Sequence, residues 1–192
     1  MSPAVVVVPC AYLLGTFPAA QLVGGARGHD PTREGSGNPG ASNVYRLAGR
    51  RAGATVFALD LVKGAVATGV GYALDGRSLA MACGVAAVLG HIVPVTRRFR
   101  GGKGVATAAG VTVVLWPLAA IVGAAVWTAV AVGTDTASLA SLAGAVAIPL
   151  AVAVTGRPAP EVVVALALAA LVVLRHGSNI RRLLEGHERG LR

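Results

Sequence analysis

The chain has 192 residues, 55% of them hydrophobic and only 13% charged, with a formal net charge of +9. A soluble domain carries about 25% charged residues, so this composition excludes a water-soluble globule and points to an all-α, polytopic membrane helix bundle forming one domain over 1–192. The positive charge does not indicate nucleic-acid binding, because the cations flank apolar runs, as positive-inside orientation requires.

In chain order the apolar runs mark seven membrane segments, at about 4–25, 53–73, 78–95, 104–118, 119–134, 138–155 and 160–175. A full crossing takes about 20 apolar residues. No Lys or Arg precedes the first run, which is not the pattern of a cleaved signal peptide. Cys10 and Cys83 lie inside apolar runs and are expected to be packing residues, not a disulfide or metal pair. Asp60 and Lys63 stand three apart in the second run, where mutual neutralisation in a protein-lined setting is expected. Gly104–Gly133 is thirty residues without a charge, and is either one long tilted helix or two short ones hinged near Pro117. With two helices and the N-terminus outside, 14 of the 17 Lys and Arg residues fall on the cytoplasmic side together with the C-terminus. A single helix would put the five C-terminal cations outside, against that bias, so two helices are expected.

Three polar stretches between these runs carry the chemistry. In Gly35-Ser-Gly-Asn-Pro-Gly-Ala-Ser-Asn43, followed by Val44-Tyr45-Arg46, turn residues and donors are dense. Ser36, Gly37, Asn38, Gly40, Ser42 and Asn43 can offer N–H, hydroxyl and amide groups to phosphate or acyl oxygens, and Arg46 can clamp a phosphate. A flexible connector is the plainer alternative. In the second stretch, Arg97, Arg98 and Arg100 lead into Gly101-Gly102-Lys103-Gly104, after which an apolar run begins. Converging backbone N–H groups, a lysine and a helix N-terminus make an anion site. The Walker A spacing is absent. Anchoring to the membrane surface accounts for the three arginines, but not for glycines on both sides of Lys103.

The third stretch runs from Arg175 to Glu188 and places His176 and Asn179 on one helical face at a membrane exit. There a polar side chain needs a polar partner. Arg181, Arg182 and Arg189, with Ile180, Leu183 and Leu184, suit an interfacial amphipathic tail. Ser138 and Ser141 open the sixth segment, where serine often only back-bonds the helix. His29-Asp-Pro-Thr-Arg-Glu34 mimics the His-x4-Asp pattern of soluble-type glycerolipid acyltransferases, and its Pro31 loop context makes it a coincidence. The Asp-rich metal motif of CDP-alcohol phosphotransferases and Cys/His zinc spacing are both absent, so no metal or cofactor is expected.

At these three stretches the chain resembles the acyl-phosphate:glycerol-3-phosphate acyltransferases of bacterial membranes, the PlsY family. The matching residues are Gly35–Arg46, Gly90–Pro94 with Phe99–Thr107, and His176–Glu188, and Leu59-Asp60 with Lys63-Gly64 also fits. The chain departs from the family in having Ser42 for Thr, Arg100 for Lys, and Asp30-Pro31-Thr32-Arg33 where the family has Asp-apolar-Arg.

The resemblance implies acyl transfer from acyl phosphate to the 1-hydroxyl of glycerol-3-phosphate in the bacterial inner membrane, with the active site facing the cytoplasm. The substrates and the lipid bilayer are then the partners, and no obligatory protein partner is expected. It implies Ser36, Arg46, Lys103, His176 and Asn179 as catalytic residues. The implied substrate-binding residues are Gly37, Asn38, Gly40, Ser42, Asn43, Gly101, Gly102, Gly104, Ser138, Ser141 and Glu188. A transporter of phosphorylated anions and a non-catalytic lipid-binding relative remain as rivals. Against the first, only the Asp60/Lys63 pair marks a charged transmembrane path. Against the second, Ser36, Asn38, Lys103, His176 and Asn179 are retained together.

Overall fold

The computed structural model describes residues 3–191, all helix and connecting turns, with no strand among them. Arg192, one of the cations expected on the cytoplasmic side, lies outside the described residues. The chain forms two compact units, one ending at Leu115 and one beginning at Trp116.

In the first unit, α1 (Ala4–Gly15) and α2 (Ala19–Gly25) are separated by Thr16-Phe17-Pro18. Pro18 has no N–H for the Leu14 carbonyl, which takes the Phe17 N–H at 3.1 Å instead, and the helical ladder is interrupted there. The next helical stretch, Ala41–Ile92, is broken at Gly49 (φ 85°, ψ 175°) and at Asp75–Gly76, where Gly76 takes φ 65°. These breaks divide it into α3a (41–48), α3b (50–74) and α3c (77–92). The second break folds α3c back along α3b. A Cβ on Gly71 would stand 2.8 Å from the Leu79 carbonyl, and one on Gly84 would stand 2.9 Å from Thr68 Oγ1. A 3-10 turn (Val95–Arg97) and α4 (Val105–Leu115) complete the unit.

Small residues set these helix crossings, as expected where lipid supplies no hydrophobic drive. A Cβ on Gly15 would overlap the Ala87 carbonyl, and one on Gly90 would overlap that of Tyr12, so α1 lies backbone-to-backbone on α3c. Gly64 and Gly110 seat α4 equally closely on α3b, against the carbonyls of Thr107 and Leu61. The core between α1, α3b and α3c is made of Ala11, Ala67, Leu79, Cys83, Ala86 and Ala87. A second cluster, Ala19, Ala20, Val44, Ala52 and Val56, joins α2, α3a and α3b. Cys83 packs in the core as expected, but Cys10 is exposed on α1, and both are free thiols.

The second unit holds α5 (Pro117–Thr134), α6 (Ala137–Val154), α7 (Ala159–Arg175) and α8 (Gly177–Leu184). Gly123 lets α5 approach Ile148 on α6. The Trp116 indole N–H donates to Glu161 Oε2 at 2.7 Å, tying the start of α5 to the first turn of α7. Between α7 and α8 the chain bends by 60°. The tail returns, and the Leu191 N–H donates to the Asp135 carbonyl at 2.7 Å.

Among the described residues four stretches are long and apolar enough to cross a membrane: Ala4–Gly25, Ala41–Arg97, Pro117–Thr134 and Ala137–Val154; counted as one span, the bent pair Ala159–Arg175 with Gly177–Leu184 makes a fifth. The second of these contains the fold-back at Asp75–Gly76. The uncharged run divides at Trp116, with Pro117 opening α5. The eleven residues of α4 rise only about 16 Å, roughly half the hydrocarbon thickness. Residues 41–43 differ from the sequence reading, which carried the first loop through Asn43, because the helix already begins at Ala41.

Gly90→Leu is expected to push α1 off α3c and cost about 1–3 kcal/mol, read as a lower unfolding midpoint in detergent. Gly69→Ala, on the same hairpin but facing open space, should leave the midpoint near wild type.

Candidate active site

The first polar loop is organised by Asn43. Its side-chain oxygen accepts the Ser36 N–H at 2.9 Å, and its amide donates to the carbonyls of Pro31 (3.0 Å) and Glu34 (3.1 Å). Asn43 is buried, and its amide serves the loop itself. Gly35 (φ 60°) must be glycine, because a Cβ there would overlap the Asn43 oxygen. Glu34 takes the His29 ring nitrogen at 2.8 Å and the Asp30 N–H at 2.6 Å. The His29…Glu34 echo is therefore a brace within the loop. Ser36, Gly37, Asn38 and Gly40 lie on the stretch that this brace and Asn43 hold, while Ser42 and Arg46 ride on α3a.

The second loop meets the first. Arg98 and Phe99 both adopt left-handed φ (51° and 63°), and the Phe99 N–H closes the turn on the Pro94 carbonyl at 2.9 Å. The Gly102 N–H then donates to the His91 carbonyl at 3.1 Å. A Cβ on Gly101 would overlap that carbonyl; one on Gly102 would overlap His91 Nε2 and stand 3.0 Å from the Pro39 carbonyl. Gly102 is thus where the two glycine-rich loops adjoin. Gly104 turns with φ 83° and releases the chain into α4. The first-turn N–H groups of α4 lack intrahelical acceptors and carry the positive end of the helix dipole. Thr107 Oγ1, in that first turn, is buried without a hydrogen-bond partner among the described residues.

Below the second loop lies a buried polar cluster. Lys63 Nζ stands 2.7 Å from Asp60 Oδ1, confirming the pairing read from their spacing. It also stands 2.8 Å from His91 Nδ1 and 3.3 Å from the Phe17 carbonyl. Arg97 reaches the same helix break, donating to the Thr16 carbonyl at 3.1 Å and to Gln21 Oε1 at 3.2 Å. His91 and Arg97 were not assigned these roles from sequence. The signal available was Gly90-His91, which matched a family motif without a stated function.

In the second unit Glu188 is the hub. Its carboxylate accepts from Ser138 Oγ (3.0 Å), Asn179 Nδ2 (2.6 Å) and Arg182 Nε (2.7 Å). Burial pushes the Glu188 carboxyl up, but the hydrogen bonds from Arg182, Asn179 and Ser138 outweigh it and hold the group below its usual range. Ser141 Oγ donates to the Ala137 carbonyl at 2.7 Å and accepts the Trp127 indole N–H at 3.2 Å. His176 is buried, and its Nδ1 lies 2.7 Å from the Val172 carbonyl. A carbonyl only accepts, so Nδ1 carries the proton and Nε2 is the acceptor nitrogen of the neutral ring. Four predicted residues, Ser138, Asn179, Ser141 and His176, thus belong to networks at the α6 start and the α7–α8 bend. The sequence reading left Arg182 as a membrane-facing tail residue; it is instead bound to Glu188.

The sequence is matched over residues 5–186 by the family model described as glycerol-3-phosphate acyltransferase. The chain belongs to the glycerol-3-phosphate acyltransferase family. It is 41% identical to the glycerol-3-phosphate acyltransferase of Thermoanaerobacter sp. (strain X514), over 96% of this chain and 94% of that one. It is 42% identical to that of Photobacterium profundum, over 98% and 93%. Among solved structures it superposes with a TM-score of 0.93 and 37% identity on PlsY, an integral membrane glycerol 3-phosphate acyltransferase in its glycerol 3-phosphate form, covering 97% of this chain and 94% of that one. The lysophosphatidic acid form of PlsY superposes with a TM-score of 0.91. Membership in this acyltransferase family makes the protein a transferase of phospholipid biosynthesis, in keeping with its apolar helices.

For the Glu188 hub the folded carboxyl titrates below its unfolded value near 4.5. Its stabilisation is therefore present above that value and lost as pH falls through the lower folded value. Glu188→Gln should lower the unfolding midpoint at neutral pH and flatten its decline in acid, as measured by thermal unfolding across a pH series.

Proposed function

We propose that this protein transfers a fatty acyl group from acyl phosphate to the 1-hydroxyl of glycerol-3-phosphate, releasing 1-acyl-glycerol-3-phosphate (lysophosphatidic acid) and phosphate. The observation that carries this reading is the meeting of the two glycine-rich loops at Gly102 and Pro39, beside Lys103 and the N-terminus of α4. Both substrates bear phosphate, and this is the concentration of N–H groups and positive charge that phosphate needs.

In the proposed roles, Lys103, Arg46, Ser141, His176 and Asn179 hold glycerol-3-phosphate. The stretch Ser36–Asn43, with its Gly37, Asn38, Gly40 and Ser42, receives the acyl phosphate and stabilises the oxyanion that forms on the acyl carbonyl. Asn43 contributes by holding that stretch in shape, since its amide bonds Ser36, Pro31 and Glu34. Gly101 and Gly104 present backbone to phosphate and Gly102, whose own N–H is taken by the His91 carbonyl, lets the loop close against His91, while Glu188 and Ser138 orient Asn179. For Ser141 to donate to substrate, its hydroxyl must turn away from the Ala137 carbonyl.

In the chemical step the glycerol 1-oxygen bonds to the acyl carbon, the bond from that carbon to the phosphate oxygen breaks, and phosphate leaves with the bonding electrons. The hydroxyl proton passes to a substrate phosphate oxygen or to His176 Nε2, the acceptor nitrogen of the neutral ring. We further propose that 1–192 acts as one domain with seven membrane segments, its N-terminus outside, and its site and C-terminus on the cytoplasmic face of the bacterial inner membrane. The placement of 14 of the 17 cations supports that orientation.

Purified protein given palmitoyl phosphate should release phosphate only when glycerol-3-phosphate is also present, and Lys103→Ala should abolish the release. Release that ignores glycerol-3-phosphate, or none at all, would sink the reading. If His176 takes the proton, His176→Ala should lower kcat by about 100-fold or more and flatten the acid side of the rate profile; retention of most of kcat assigns the proton to substrate phosphate.

A further inference from the structure

We infer that Asp60, Lys63 and His91 form a buried positioning unit for the Gly101–Gly104 loop, with His91 as the residue that touches it. Neutralisation alone would need only Asp60 and Lys63, whose charges already meet at 2.7 Å. The third member goes beyond that need and faces the loop.

The ammonium of Lys63 has three N–H groups and three acceptors: Asp60 Oδ1 at 2.7 Å, His91 Nδ1 at 2.8 Å and the Phe17 carbonyl at 3.3 Å. A lysine so saturated is fixed in place, and it fixes the ring it donates to. With Nδ1 accepting from Lys63, the neutral imidazole carries its proton on Nε2. Nε2 is the atom that fills the space where a Gly102 side chain would stand. The His91 carbonyl takes the Gly102 N–H at 3.1 Å. Gly102 is therefore gripped twice by one residue, through the main chain and against the ring. The Pro39 carbonyl of the first loop lies 3.0 Å from the same side-chain position.

The entry to the loop is tied to the same foundation. Arg97, four residues before Gly101, donates to the Thr16 carbonyl, while Lys63 donates to that of Phe17. Both carbonyls lie in the non-helical break between α1 and α2. Helix break, ion pair, imidazole and glycine loop thus form one continuous set of contacts within the first unit. Residues held this way act on geometry: a displacement of about 1 Å at a substrate-holding loop can cost about 100-fold in rate. His91 is 5% exposed, so it serves as a positioning residue and not a catalytic one.

The kinetic part of this inference rests on the acyl transfer proposed above, whereas the structural part does not. The test uses the full-length protein in lipid nanodiscs. His91→Phe keeps a ring against Gly102 and removes both nitrogens. Two quantities are read: hydrogen exchange of the segment 98–106, and KM for glycerol-3-phosphate against kcat at saturating palmitoyl phosphate. The expected result is faster exchange in that segment, unchanged protection of α1 and α3b, and a KM raised about tenfold or more. Unchanged loop exchange with unchanged KM, and only a lower yield of folded protein, would overturn the inference. If His91→Phe does not fold, the paired change Asp60→Asn with Lys63→Met removes both charges without stranding either, and should loosen the same segment. Full loop protection in that pair would also overturn it. Wild-type protein that shows no acyl transfer defeats the proposed function, while the exchange comparison still decides the positioning role.

Discussion

The first unit depends on the burial of one ammonium group. Lys63 is 3% exposed on a helix otherwise suited to hydrocarbon. An uncompensated cation there would cost several kcal/mol. The structure compensates it completely, by drawing a carboxylate from its own helix, an imidazole from α3c and a carbonyl from the break between α1 and α2. Each partner comes from a different piece of chain. The requirement to satisfy Lys63 therefore fixes how α3b, α3c and the α1–α2 break stand to one another. Removing His91 leaves one Lys63 N–H unpaired, while the Asp60 carboxylate and the Phe17 carbonyl still hold the ammonium.

Glycine supplies the complementary constraint. The polar cluster can form only if the helices approach until their backbones touch, and Gly15, Gly64, Gly90 and Gly110 permit that approach. The core between them is mostly alanine, whose small volume suits a short interaxial distance. Larger apolar residues such as Ile121, Val132 and Leu166 are left on the outside, where lipid chains solvate them. Large apolar residues can stand outside for the reason that sequesters Lys63: the surrounding medium is apolar.

Chemistry is divided between two kinds of local structure. The first unit presents backbone N–H groups and positive charge on loops whose shape is imposed from behind, by Asn43 for one and by His91 for the other. The second unit presents side chains held by a carboxylate, with Glu188 collecting Ser138, Asn179 and Arg182. In both, the groups proposed to meet substrate are held by neighbours that do other work. This is how a site stays ordered without a large rigid domain around it.

Class, family and the chemistry-bearing stretches were legible in the sequence alone. Composition excludes a soluble fold, run lengths mark the helices, and glycines around Lys103 and between Ser36 and Asn43 mark backbone-presenting loops. Pro117 signalled the division of the long uncharged run, because proline is favoured at the first position of a helix and disfavoured in its interior. The spacing of Asp60 and Lys63 sufficed to pair them, since three residues along a helix is a contact distance. Contacts between residues distant in sequence were decided only by the tertiary structure. Nothing local brings His91 to Lys63, Pro39 to Gly102, or Glu188 to Ser138, fifty positions away. The assignment of Asn43 to the loop's own scaffold, the proton on His176 Nδ1 and the exposure of Cys10 follow from such contacts. Side-chain roles of this kind are set by what the fold places within hydrogen-bonding distance, and local pattern carries no record of that.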